Sequence, residues 1–153
     1  MGYGLQQQFG IDYAVEKITK NPYGKPSLVE YNQIQYNISH CMGGAAVAIS
    51  CGTPVGVDIE NIRPFHTAVV KRVFTPDEQE ALFSSQDQQK AFFSIWTLKE
   101  SYIKAIGKGL SYDMRSIQFQ VDDNGQVTSN CKNAQFHLWQ IQSKYTVALC
   151  KIN

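Results

Sequence analysis

Between Gln88 and Ile106 apolar residues recur at Phe92, Ile95, Trp96, Leu98, Tyr102, Ile103 and Ile106, which is the period of a helix. Projected at about 100° per residue they cover one side of the cylinder, and Lys90, Ser94, Thr97 and Ser101 take the other. Two features break the pattern. Lys99 falls inside the apolar arc, and Glu100 and Lys104, one turn apart, sit together at its edge. A lysine on a buried face needs an anion beside it, because an isolated buried ammonium is strongly penalised or loses its proton. The plainer alternative is a snorkelling Lys99 with a surface Glu100–Lys104 pair.

The pattern elsewhere alternates strands and short helices. Residues up to Gly10 read as the end of a helix, and Asn21-Pro22-Tyr23-Gly24-Lys25-Pro26 as a turn. Ile34 to Ser39 alternates like a strand, and Ala45 to Ser50 forms a second strand of small residues. Cys51-Gly52-Thr53-Pro54 reads as a hairpin turn into a third strand, Val55–Glu60. Thr67 to Val73 predicts a short helix. Thr75, Pro76 and Glu78 then supply the N-cap, first position and reciprocal acid of a capping box for a helix ending near Phe83. Beyond Gly107 four strands are expected: Ile117–Val121, Gln126–Thr128, Gln135–Ile141 and Thr146–Lys151, with a turn at Asp122–Gly125. Strands, then helices, then strands predict an α+β fold with an antiparallel sheet packed against helices.

Gly56-Val57-Asp58-Ile59-Glu60 carries the candidate chemistry. In a strand, Val57 and Ile59 point into the core while Asp58 and Glu60 share the other face. Two carboxylates on one face repel unless a cation sits between them. With Glu100 added they form an oxygen-rich set suited to Mg²⁺ or Mn²⁺. Lysines 99 and 104 beside such an ion would suit a phosphate chain.

Composition narrows the class without naming it. The chain has 153 residues, enough for one domain with a sizeable core. A net charge of +1 gives no reason to expect a nucleic acid or a membrane surface as partner. No apolar run approaches the roughly 18 residues of a membrane span, and no secretory signal stands at the start. Cys41, Cys51, Cys131 and Cys150 are scattered without metal-binding spacing, which predicts reduced thiols in a cytoplasmic protein.

The two stretches together, Gly56-Val57-Asp58-Ile59-Glu60 and Trp96-x-x-Lys99-Glu100-Ser101-x-x-Lys104, resemble the paired signature of the 4′-phosphopantetheinyl transferases. The Gly107-Lys108-Gly109-Leu110-Ser111 tail is similar to the surfactin-synthetase-activating type. Tyr23-Gly24-Lys25-Pro26 and Tyr36-Asn37-Ile38-Ser39-His40 match that family's other two motifs. The resemblance implies an enzyme that transfers 4′-phosphopantetheine from coenzyme A to a serine hydroxyl of an apo acyl or peptidyl carrier protein. Adenosine 3′,5′-bisphosphate would be the leaving group.

It implies Mg²⁺, or Mn²⁺, on Asp58, Glu60 and Glu100. Glu100 would also accept the serine proton, and Lys104 would stabilise charge on the leaving phosphate. Lys25, Ser39, His40, Lys99 and Lys104 would contact coenzyme A, with His40 at the 3′-phosphate. For Lys25 the alternative is an exposed loop lysine, and for Lys99 a core-edge lysine paired with a carboxylate. Phe65, Val69 and Val70, with Lys71 and Arg72, either dock the carrier or, in the case of the valines, face the core. Two further readings stay open: a coenzyme-A-binding partner that is catalytically weak or inactive, and a Mg²⁺-dependent pyrophosphate hydrolase.

The same resemblance implies pseudo-two-fold half-lobes within one domain spanning 1–153. Residues 36–153 correspond to the C-terminal half-lobe and residues 1–35 to a remnant of the N-terminal one. A reduced lobe should leave apolar surface uncovered, and a homodimer with two-fold symmetry is the simplest way to cover it; the competing explanation is that the chain is a fragment of a longer protein.

Overall fold

Helix α4, Gln88–Ile106, lies across a three-stranded antiparallel sheet of order β5-β9-β8, formed by Val55–Asn61, Tyr145–Ile152 and Ala134–Ile141. The computed structural model describes residues 1–153 apart from the side chain of Leu110. The chain begins with α1 (Gly2–Phe9), followed by a hairpin of β1 (Ile18–Lys20) and β2 (Pro26–Leu28). A longer hairpin of β3 (Ile34–Cys41) and β4 (Gly44–Cys51) leads into β5. Helices α2 (Thr67–Val73) and α3 (Pro76–Ser84) precede α4, and β6 (Phe119–Val121) with β7 (Val127–Ser129) precede the last two strands. The α+β expectation therefore holds, although the strands form four small antiparallel sheets.

Ser94, Thr97 and Ser101, expected opposite the apolar arc of α4, are all buried. The hydroxyls of Thr97 and Ser101 are satisfied within the helix, and Ser94 Oγ accepts from Gln140 Nε2 at 3.3 Å. Thr97 Oγ1 donates to the Phe93 and Ser94 carbonyls, and Ser101 Oγ donates to Leu98. A hydroxyl that bonds back onto its own helix can be buried without an orphaned group. Small residues on this face also let α4 come down onto the sheet. The contact is tightest at Gly56, where a Cβ would overlap the Ser101 carbonyl oxygen and the Ala105 nitrogen.

The opposite face of α4 builds the main core. Phe92, Phe93, Leu98 and Ile103 meet Val70, Phe74, Leu82, Ile117 and Phe119. The aromatic rings of Phe65 and Phe92 stack at 4.4 Å. The predicted capping box of α3 is present, with Glu78 N–H donating to Thr75 Oγ1 and Thr75 N–H donating to Glu78.

A second correction concerns Cys51–Pro54. It is not a hairpin turn, because β5 does not pair with β4. One edge of β5 carries the β9 ladder, with Asp58 opposite Ala148. Along its other edge runs β3, joined by side chains. Val57 N–H donates to Asn37 Oδ1 at 2.8 Å and Ile59 N–H donates to Ser39 Oγ at 3.3 Å. The far side of the β3–β4 hairpin packs on α1, where Leu5, Ile11, Leu28, Ile34 and Tyr36 form a small core with Ile49.

The face of the main sheet turned away from α4 is apolar. Val57, Ile59, Val147 and Tyr145 gather there with Ala48. A groove of about 760 Å³ separates this face from α1, bordered by Val47, Val57, Trp139, Val147 and Leu149.

Candidate active site

Alternation along β5 sends Val57 and Ile59 to the apolar face and leaves Gly56, Asp58 and Glu60 toward α4. Because Gly56 lacks a side chain, the last turns of the helix descend beside the strand, and Lys104 reaches Asp58. Its ammonium lies 2.6 Å from Asp58 Oδ1 and 2.9 Å from Ser39 Oγ. Ser39 donates its proton to the same Asp58 oxygen at 2.8 Å while accepting from Ile59 N–H and Lys104. A serine hydroxyl has one donor and two acceptor positions, so all three are filled. Ser39, expected at coenzyme A, is thus committed to the strand seam and to Asp58.

Asp58 is 4% exposed, and its second oxygen, Oδ2, is buried with no hydrogen-bond partner. Burial pushes its carboxyl up, and Lys104 and Ser39 pull it partway back. Glu100, one residue beyond the buried Lys99, is pushed up to about 7, first by burial and then by the charge of Asp58, with Glu60 adding to it and Lys104 opposing. Glu60 sits at the edge of the seam, its Oε2 accepting from Arg63 at 2.8 Å.

The charges of Asp58 and Glu60 both act on Glu100, in the direction that raises its carboxyl. Among the described residues, however, no three His, Cys, Asp or Glu side chains are gathered in the arrangement of a metal centre. The chemistry of the set still fits a divalent cation. One buried carboxylate oxygen is unpartnered, and the neighbouring Glu100 carboxyl is raised first by burial and then by the charge of Asp58.

Two lysines expected at coenzyme A are placed differently. Lys99 is 0% exposed and forms an ion pair with Glu78 at 2.9 Å. Its ammonium also donates to the Met114 carbonyl at 2.8 Å and the Ile117 carbonyl at 2.5 Å. The paired-core alternative is the one realised: an ammonium with a carboxylate and two carbonyls around it is fully satisfied, and no face is left for a phosphate. Lys25 is neither an exposed loop lysine nor turned outward. It donates to the Val55 carbonyl at 3.2 Å and the Ala105 carbonyl at 2.6 Å, and burial lowers its affinity for its proton. His40 is exposed on β3 opposite Ala45.

Of the docking candidates, Val70 is fully buried, and Phe65 and Val69 pack against the main core. Lys71 and Arg72 remain exposed on α2. Sequence reasoning missed Glu78 as the partner of Lys99, and it missed Asn21. The latter's Nδ2 donates to the Gly107 carbonyl at 2.8 Å. The capping-box pattern pointed to Glu78 for a different reason, and nothing in the sequence marks Asn21.

Residues 54–150 match the family model of the 4′-phosphopantetheinyl transferase superfamily. The chain is 32% identical over 133 residues to the 4′-phosphopantetheinyl transferase psf-1 of Bacillus pumilus, covering 83% of this chain and 57% of that protein. It is 43% identical over 107 residues to the 4′-phosphopantetheinyl transferase gsp of Aneurinibacillus migulanus, covering 69% of this chain and 43% of that protein. The chain thus spans about half the length of these two curated relatives. In fold it is similar to the holo-[acyl-carrier-protein] synthase of Neisseria meningitidis, with a TM-score of 0.56 at 16% identity over 65% of this chain and 97% of that one. The Thermotoga maritima synthase gives 0.55 at 20% identity over 65% of this chain and 62% of that one.

Proposed function

Because the chain belongs to the 4′-phosphopantetheinyl transferase superfamily, we propose that it transfers 4′-phosphopantetheine from coenzyme A to a serine hydroxyl of an apo carrier protein in a Mg²⁺-dependent reaction. The observation that carries this reading is the meeting of Lys104 with Asp58 beside Glu100, where one buried carboxylate oxygen has no partner.

The serine oxygen forms a new bond to the phosphorus bearing the pantetheine arm. The bond from that phosphorus to the bridging oxygen breaks, and adenosine 3′,5′-bisphosphate leaves with the negative charge. Glu100 is the carboxylate offered to accept the serine proton. Lys104 neutralises charge that develops on the leaving phosphate, and Ser39 holds both Lys104 and Asp58 in register. Mg²⁺, or Mn²⁺, held by Asp58, Glu60 and Glu100 would polarise the attacked phosphate. His40, exposed at the end of β3, is the group offered to the 3′-phosphate. Lys71 and Arg72 on α2 are offered to the acidic surface of a carrier.

A cytoplasmic setting, a division into two half-lobes and a two-fold homodimer belong to the same reading. Among the described residues no helix is long and apolar enough to cross a membrane.

The test is incubation with coenzyme A, Mg²⁺ and an apo carrier, followed by intact mass of the carrier. Gain of the phosphopantetheine mass supports the transferase. Unmodified carrier with coenzyme A retained on the protein supports the weak or inactive binding partner. Consumption of coenzyme A without any carrier supports the hydrolase.

A further inference from the structure

The turn between β1 and β2 grips the far end of α4. Asn21 and Lys25 close the turn on themselves: Asn21 Oδ1 accepts from the Tyr23 and Lys25 amides, both at 2.9 Å, and Asn21 N–H donates to the Lys25 carbonyl at 3.0 Å. From this turn two donors reach the helix terminus. Lys25 Nζ bonds the Ala105 carbonyl, and Asn21 Nδ2 bonds the Gly107 carbonyl. The same ammonium bonds the Val55 carbonyl, so one group ties the end of α4 to the start of β5. Gly107 makes room for this. It sits at φ 66°, and a Cβ there would lie 2.8 Å from Asn21 Nδ2 and 3.0 Å from Lys25 Cδ.

The last turn of a helix has carbonyls without intrahelical partners and frays unless they are bonded. It also carries partial negative charge, which a cation stabilises. Lys104 stands on that turn, immediately before Ala105, and its contact with Asp58 and Ser39 requires the turn to stay wound against β5.

We propose that Asn21 and Lys25 are positioning residues that hold Lys104 over Asp58 by closing the last turn of α4 onto the start of β5. The assignment of Lys104 to the reaction rests on the function proposed above, whereas the clamp itself does not. It gives Lys25 a role inside the fold instead of at a coenzyme A phosphate. A role at the phosphate and a role in the clamp make opposite demands on the two variants below.

Asn21→Asp keeps the oxygen that closes the turn and loses the donor to Gly107. Lys25→Met keeps the aliphatic stem and loses both carbonyl contacts. Acetic anhydride labelling of the metal-free protein, mapped by peptide mass, reads the position of Lys104 without any turnover. Lys104 should label faster in both variants than in the parent, relative to the exposed Lys20 as internal standard. In the transfer assay both variants should lose kcat by about tenfold or more, the scale of a displaced catalytic group. KM for coenzyme A should hold, and the preference for coenzyme A over its 3′-dephospho form should match the parent. Lys104 labelling that is unchanged or slower in both variants overturns the clamp. So does a Lys25→Met protein that keeps kcat and loses the preference for the 3′-phosphate. A parent protein with no transfer would refute the proposed activity, and the labelling would still decide the clamp.

Discussion

Lys104 Nζ and Asp58 Oδ1 lie 2.6 Å apart, although they belong to the end of a helix and the middle of a strand. Asp58 is the buried member of the pair, and its other oxygen is unpartnered. Asp58→Ala should therefore reduce carrier modification by about 10²-fold or more, the scale of losing a preorganised charge. It should leave the protein folded, because burial of this carboxylate offsets much of what its pairing with Lys104 and Ser39 contributes, and the part-exposed Lys104 can turn to solvent once Asp58 is gone. Turnover close to that of the parent at limiting Mg²⁺ would remove Asp58 from the site.

The pH dependence of stability has a definite sign. Glu100 has its folded-state pKa raised to about 7, and Asp58 is raised in the same direction, both mainly by burial. Between the ordinary carboxylate range and pH 7 the folded state binds more protons than the unfolded chain. The stability contributed is thus fully present below the ordinary carboxylate pKa and is lost as pH rises to about 7. Urea midpoints of the metal-free protein should fall across that window, other carboxylates being common to all samples. Adding Mg²⁺ should raise the midpoint at pH 7.5 and have little effect at pH 5. An equal Mg²⁺ effect at both values contradicts the assignment.

Gly56→Ala tests the descent of α4 onto β5. The added methyl meets backbone atoms of Ser101 and Ala105, which cannot rotate away. Overpacking of this kind is expected to destabilise by about 3 kcal/mol or more. It should also lower transfer further than the loss of folded protein explains, since Lys104 and Glu100 ride on the displaced helix. An unshifted urea midpoint would mean that the helix stands farther from the strand.

Lys99→Met removes one partner of a fully buried ion pair and leaves Glu78 charged in the core. Breaking such a pair from one side costs about 3–5 kcal/mol. Adding Glu78→Gln should return part of that loss, so the two changes together should be less damaging than their sum. If Lys99→Met weakened coenzyme A binding with stability intact, Lys99 would belong at the phosphates after all.

The proposed dimer is tested by light scattering at micromolar protein. Tyr3, Val47 and Trp139, the last 46% exposed, border the open side of the main sheet. Exposed apolar surface of this kind favours association. A two-fold dimer should be seen, and Trp139→Glu should convert it to monomer with the melting temperature nearly unchanged. A parent protein that is strictly monomeric rules the dimer out.

The local rules written into the chain were legible. The ends of α4, the capping box at Thr75–Glu78 and the alternation that turns Asp58 and Glu60 together all depend on near neighbours. What escaped reading depends on distant partners. Lys99 gave the right question, since a buried lysine needs an anion, but Glu78 lies on another helix and no spacing rule connects them. Thr97 and Ser101 read as polar because their hydroxyls count in a periodicity, whereas those hydroxyls are satisfied by the helix that carries them. Motif matching placed Lys25 and Ser39 near the site but could not say toward what they point. That is decided by carbonyls and a hydroxyl valence visible only in three dimensions.

The joint between β3 and β5 has a consequence for how this molecule can change. Elsewhere in the sheets, strands adhere through peptide groups that every residue type except proline supplies, so the adhesion survives substitution. Here Asn37 and Ser39 take the place of the peptide groups, and the β3–β4 hairpin is joined to the three-stranded sheet by the identities of two side chains. Such a joint is heritable letter by letter. A change of one or two codons can loosen or re-aim the hairpin against the sheet, and because Ser39 also touches Asp58 and Lys104, drift in the architecture and drift in the chemistry proceed through the same position.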